Sequence, residues 1–310
     1  MHAPLSVILF TVLSGAGFGF VALFVLADLF AIGGPVERGE LLVAALLGLL
    51  IITAGLLLST GHLTKPRDGW RALARVRSSW LSREAVCAGL FFPVAALYLL
   101  PYLMGGVEHT AWTAFWALLT ALLAVATVVT TGMIYGCVRA VHDWQQSLTP
   151  VNFVLIGLGS GAVLLTVVRA GAGADPAPIA ALGATLLAVA AASKAAWFSW
   201  RHRPAGSTPA TATGLTQGVV RLHDSGHSGP TFLDHELQSD QIAKRHPAVA
   251  YYRWLVVGAG LALPALLLAA VAAGAGTLWA VLALALVGGG AVLERWLFFA
   301  EARHTIRLYY

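Results

Sequence analysis

The chain has 310 residues, of which 58% are hydrophobic and only 11% charged, with a formal net charge of +5 and a mean hydropathy of +0.80. Soluble domains carry roughly 25% charged residues, so this composition excludes a water-soluble globular protein and points to an all-α polytopic membrane protein. Runs of about 20 apolar residues are needed to carry a helix across about 30 Å of hydrocarbon. On that measure eight spans are expected, at about 5–31, 40–61, 84–104, 111–138, 151–170, 177–199, 248–273 and 276–299. Turn chemistry separates them at Gly33-Gly34-Pro35, Pro66, Gly105-Gly106, Pro150, Asp175-Pro176 and Gly274.

The first run is expected to stay as a span rather than be cleaved, because only His2 precedes it as a basic residue and it is too long for a signal h-region. Its Gly15, Gly17 and Gly19, like Gly288 to Gly290 in the last span, suit close approach of helix backbones.

After the second span comes the most informative stretch, TGHLTKPRDGWRALARVRSSWLSRE from Thr60 to Glu84. It holds Lys65, Arg67, Arg71, Arg75, Arg77 and Arg83, six of the nineteen Lys and Arg in the chain. Pro66 suits the first turn of a helix. Trp70, Leu73, Arg77 and Trp80 then recur at helical spacing, so residues 61–83 are expected to form a basic amphipathic segment at the membrane surface. Ser82 is read as the cap of the third span and Glu84 as an acid in its first turn. Ordinary roles exist for each of these residues: interface arginines, an aromatic belt, a helix-start carboxylate. Together they suggest more. Reducing or oxidising a quinone needs a proton donor or acceptor near each ring carbonyl and an apolar slot. His62 and Glu84, at neighbouring ends of consecutive spans, supply two titratable groups.

Further along, Cys87 and Cys137 lie 50 residues apart, each in an apolar run, without metal-ligand spacing. All ten histidines fall in loops, tails or span ends, which argues against a haem held at mid-bilayer, and neither haem nor iron–sulfur cluster is expected in this chain. Asp28, Glu40, Lys194 and Glu294 lie toward span ends and are expected to reach the interface, leaving no mid-span charge for an ion pump or proton-coupled transporter. The connection from 201 to 247 has too few large apolar residues for a core of its own, and its length suggests a loop that orders against a partner. Arg38 and Arg169 are the only two Lys or Arg on the side reached after an odd number of spans. Basic residues mark the cytoplasmic side, so both termini, the 61–83 segment and the 201–247 loop are expected there.

GHLTKPRDGWRALARVRSSWLSREAV resembles the characteristic loop of the membrane anchor subunit of dimethyl sulfoxide reductase-type molybdopterin oxidoreductases. HAPLSVILFTVLSGAGFGF, MIYGCVRAVHDWQQSLTPVNF, TATGLTQGVVRLHDSGHSGPTFL and ERWLFFAEARHTIRLYY are similar to other parts of that family. TKPRDGW departs from it, with Thr64-Lys65 where a Gly-Arg-type pair is expected. The resemblance implies an eight-span, haem-free anchor in a bacterial inner membrane. It implies partners carrying molybdopterin and four iron–sulfur clusters, and exchange of electrons with menaquinone or ubiquinone. The family's quinol-site His and Glu fall on His62 and Glu84; Arg77, Trp80 and Trp70 are the remaining candidates for the quinone site. Lys65, Arg67, Arg71, Arg75 and Arg83 are the candidates for docking a partner. The same family serves sulfite-oxidising enzymes, and basic loops on the cytoplasmic face favour that quinone-reducing version over a quinol-oxidising reductase. A small-molecule transporter and a purely structural anchor are the competing readings.

Overall fold

The computed structural model describes residues 5–60, 71, 73–106, 110–200, 210, 214–215 and 248–302. His62, Lys65, Arg67 and Trp70 lie outside the described residues, as does most of the 201–247 loop. Eight helices are long and apolar enough to cross a membrane: α1 (Leu5–Leu29), α2 (Arg38–Thr60), α3 (Trp80–Leu103), α4 (Ala111–Gly136), α5 (Leu148–Gly171), α6 (Ala177–Trp200), α7 (Val249–Ala272) and α8 (Leu278–Ala300). No strand occurs among the described residues. Pro150 does not delay α5. It falls in the first turn, where its missing N–H costs nothing. Within α7, Leu255–Ala262 winds as a π-helix immediately before Pro264.

The bundle is built around α1 and α5, each 61% buried along its apolar window, against 33% for α2 and α3. α1 packs on α2, α4 and α5; α3 leans on α4; α6 joins α5 to α7, and α8 closes against α7 and α5. Glycine sets these distances, since lipid gives apolar helices little reason to associate except close packing. A Cβ on Gly19 would lie 2.2 Å from the Gly157 carbonyl oxygen, and one on Gly161 would lie 2.2 Å from Phe20 N. Gly290 and Gly260 meet backbone to backbone in the same way between α8 and α7, whereas Gly288 and Gly289 face open space. Gly161→Ala is therefore expected to destabilise the fold by about 1–3 kcal/mol. It should lower the thermal midpoint in detergent, while Gly288→Ala leaves it unchanged.

At the end of the bundle where α1 turns into α2, Asp28, Glu40 and Arg169 are buried and hydrogen-bonded. Gly33 and Gly34 adopt positive φ values of 79° and 98°. Their carbonyl oxygens point at Arg169, whose Nη2 donates to them at 2.6 and 3.0 Å. Arg169 Nη1 donates to both oxygens of Glu40, at 3.0 and 3.1 Å. Nearby, Asp28 accepts from the hydroxyls of Tyr98 (2.6 Å) and Tyr102 (2.9 Å). Arg38 donates to the Tyr102 and Leu103 carbonyls at the end of α3.

These contacts correct the expectation that Asp28, Glu40, Lys194 and Glu294 reach the interface. All four side chains are buried, because each finds a hydrogen-bonding or oppositely charged partner on a facing helix.

Candidate functional site

The opposite end of the bundle holds the N-termini of α3 and α5 and the C-termini of α4, α6 and α8. The basic segment reaches it through Leu73–Arg75, a single 3-10 turn, followed by a turn at Val76–Ser78. The amphipathic helix does not run on through Arg77 to Trp80. Ser79 interrupts it with an extended backbone (φ −123°, ψ 126°), and its hydroxyl accepts from Ser82 N as the cap of α3. The helix thus starts at Trp80, four residues before the expected boundary. Glu84 accordingly stands in the second turn rather than the first.

That one-turn displacement carries Glu84 into the bundle, where it is 6% exposed. Thr131 of α4 donates to Glu84 Oε1 in a short hydrogen bond. The same hydroxyl lies 2.9 Å from the Thr127 carbonyl oxygen one turn back. A hydroxyl donates one proton and accepts through its lone pairs. Thr131 can therefore satisfy Glu84 in either charge state: it donates to the carboxylate, or it turns its proton to Thr127 and accepts from the carboxylic acid. Among the described residues no Lys or Arg stands within ion-pair distance of Glu84. This buried carboxyl thus has no counter-cation among the described residues, and its hydroxyl partner can serve either of its charge states.

Arg83 closes the turn outside the helix. It donates to the Val76 and Arg77 carbonyls at 2.9 Å each, and its guanidinium covers the half-buried Trp80 ring at 4.1 Å. Arg71, Arg75 and Arg77 are exposed. The structure therefore brings Glu84, Trp80 and Arg83 to one helix start, with Arg77 on the turn outside it.

Two residues that sequence reasoning missed complete this end. Thr131 is one, hidden in an apolar span among Thr127 and Thr130. The other is Tyr135, one turn further along α4, stacked on Phe153 at 5.6 Å and edge-on to Trp144, Phe298 and Phe299. Trp144 is fixed by its indole N–H, which donates to the Phe298 carbonyl at 2.9 Å. Beyond this aromatic group Arg295 lies 3.4 Å above the Phe153 ring and 3.2 Å from Glu294, which pairs with Lys194. The adjacent charges Glu294-Arg295 inside an apolar helix, with one lone Lys in α6, were the available signal. Among the described residues no group of three His, Cys, Asp or Glu is placed to hold a metal ion. A quinone ring fits the chemistry at Glu84: a buried carboxyl held by a hydroxyl, with aromatic and aliphatic side chains on the helices around it.

The chain matches the model of the DMSO reductase anchor subunit (DmsC) family over residues 1–300. It is 31% identical over 330 aligned positions to the C component of the sulfite dehydrogenase of Allochromatium vinosum, with 100% of this protein and 99% of that one covered. It is 27% identical over 129 positions to the C component of the anaerobic dimethyl sulfoxide reductase of Haemophilus influenzae, with 42% and 44% of the two proteins covered. No solved structure matches. An eight-span helical bundle that this family's model matches almost end to end is a member of the DMSO reductase anchor subunit family.

Proposed function

We propose that this chain is the quinone-reactive anchor of a molybdopterin oxidoreductase. It holds a molybdopterin catalytic subunit and a four-cluster iron–sulfur subunit at the inner face of a bacterial cytoplasmic membrane. Electrons pass between that iron–sulfur partner and the quinone pool. The observation that carries this reading is the buried Glu84–Thr131 pair near the start of α3, which the exposed Arg71, Arg75 and Arg77 precede in the chain. A partner docked on those arginines would place its terminal cluster over the start of α3, next to the proton-exchanging carboxyl. Quinone supplies the redox chemistry when bound. Glu84 gives or takes a proton at one ring carbonyl, His62 serves the other, and Trp80, Trp70 and Arg77 border the ring.

The direction favoured is quinone reduction by a sulfite-oxidising partner, matching the name of the relative that aligns with the whole of this protein. Both odd-side arginines are engaged in structural contacts at the far end, Arg169 with Glu40 and Arg38 with the end of α3. The remaining basic residues therefore favour the Glu84 end as the cytoplasmic one. A DMSO-type reductase anchor, running the same site toward quinol oxidation, is the second reading, supported by the family's description. The 201–247 loop is assigned to contact with the partners.

Pulling this protein from detergent-solubilised membranes should bring molybdenum and iron with it, and no haem absorption band. Reversing two of Arg71, Arg75 and Arg77 to Glu should release the metal-containing subunits from washed membranes. A chain that purifies alone and metal-free overturns the proposal.

A further inference from the structure

A second polar site lies between α5 and α6, and the helix register locates it. A Cβ on Gly159 would meet Leu187 Cδ2 at 2.6 Å, and the Trp197 indole N–H donates to Thr149 Oγ1 at 3.3 Å. The two helices run antiparallel with these pairs in contact. Two turns from Gly159 toward Thr149 is Asn152; two turns from Leu187 toward Trp197 is Lys194. Asn152 and Lys194 therefore face each other across the interface.

Asn152 is 2% exposed, and among the described residues neither its Oδ1 nor its Nδ2 has a hydrogen-bond partner. Lys194 is equally buried, paired with Glu294, and lies 3.8 Å above the Trp197 ring. Glu294 pairs with Lys194 and lies 3.2 Å from Arg295, and each carboxylate oxygen can accept from more than one donor. Buried amides in native proteins are met by a protein group or by internal water, and water needs two to four polar neighbours. The Asn152 amide, opposite Lys194 and its partner Glu294, supplies polar atoms of that kind.

Outward from this cluster, Arg253 pairs with Glu301 at 3.0 Å at the end of α8. Inward, Arg295 lies over Phe153, whose ring stacks on Tyr135. Tyr135 stands one turn from Thr131, the partner of Glu84. Charged and polar groups thus extend from the end of the bundle toward Tyr135, one turn from the partner of the carboxyl.

We propose that Asn152, Lys194 and Glu294 enclose ordered water that carries protons between the aqueous face at Arg253–Glu301 and Glu84. This rests on the quinone reaction proposed above. Each quinone reduced takes two electrons from the iron–sulfur partner and two protons from water on this face, and the relay groups end each cycle as they began. Guanidinium groups hold the path electrostatically; water and the Tyr135 hydroxyl pass the proton. No side chain of this protein is consumed.

The test uses the intact complex with its partner subunits. Its structure, determined finely enough to show ordered water, should contain a water bonded to the Asn152 amide and to Lys194 or Glu294; a dry amide overturns the proposal. Asn152→Leu, and separately the charge-removing pair Lys194→Met with Glu294→Gln, should slow quinone-linked turnover about tenfold or more. The partner's activity with an artificial electron acceptor should not change. A membrane-permeant weak acid should restore much of the lost rate, and Asn152→Ser should retain it. Wild-type turnover in Asn152→Leu, or a loss that weak acid does not relieve, overturns the relay. If Asn152→Leu fails to assemble, the water and the paired variant decide. Glu84→Gln, assayed beside them, separates the two ideas: if it is inactive while Asn152→Leu is unimpaired, only the relay falls. Full quinone-linked activity in Glu84→Gln instead removes the quinone reading itself.

Discussion

Glu84→Gln should reduce quinone-linked electron transfer about a hundredfold or more, the range typical for removal of a positioned proton donor or acceptor. The complex should still assemble. Glutamine matches the shape of glutamate, and its amide can both donate to and accept from Thr131 Oγ1, so α3 and α4 stay tied. What it cannot do is exchange a proton. His62→Ala should give the same phenotype, since either loss leaves one ring carbonyl unserved. Thr131→Val should have a smaller effect, about tenfold, because it removes the orienting hydroxyl and leaves the carboxyl in place, and Thr131→Ser should recover the rate. The measurement is steady-state turnover with a water-soluble quinone, set beside turnover with an artificial acceptor that bypasses the membrane subunit. Equal rates for wild type and Glu84→Gln would make this protein a structural anchor.

Breaking the Glu40–Arg169 pair should have the largest effect on stability. Arg169 is 0% exposed and Glu40 9%, and removing one member of a buried ion pair strands the other, a loss of about 3–5 kcal/mol. Arg169→Met and Glu40→Gln should each lower the thermal midpoint in detergent sharply. The double variant should recover most of the loss but not all. Arg169 also serves the Gly33 and Gly34 carbonyls, and leaving buried acceptors unmet costs about 1–3 kcal/mol. Because this pair sits at the end of the bundle opposite Glu84, turnover per folded complex should be unchanged. A double variant as unstable as Arg169→Met alone would place the whole effect in the turn rather than the ion pair.

The eight spans were legible because hydropathy over about twenty residues is a local property, and each α-helix satisfies its own backbone. Glu84 was legible as an acid beside a helix start, although its depth was not. The boundary was set by Ser79 rather than Ser82, and both are plausible caps in SSWLS. Thr131 could not be found from sequence, because which residues of α4 face α3 depends on helix rotation, and that rotation is chosen by distant glycine contacts. The same reason hid the burial of Asp28, Lys194 and Glu294. A charge a few residues inside a span can extend to water or find a partner on another helix, and only the packing decides. Asn152 falls inside the expected 151–170 span, but that its amide is buried at a helix interface shows only in the packing.

The seam between Gly19 on α1 and Gly157 and Gly161 on α5 bears on how the protein is made. α1 leaves the ribosome before α5, and this seam between them can close only when α5 follows. Until then its small-residue face lies against lipid, where nothing drives it to a wrong neighbour, since glycine offers little side chain to grip. The α1–α2 hairpin can wait in the bilayer as an unfinished unit. The arrival of α5 then closes the seam and brings Arg169 to Glu40 in the same movement. A buried charge between α2 and α5 and a glycine groove between α1 and α5 would thus act as one checkpoint on the arrival of α5.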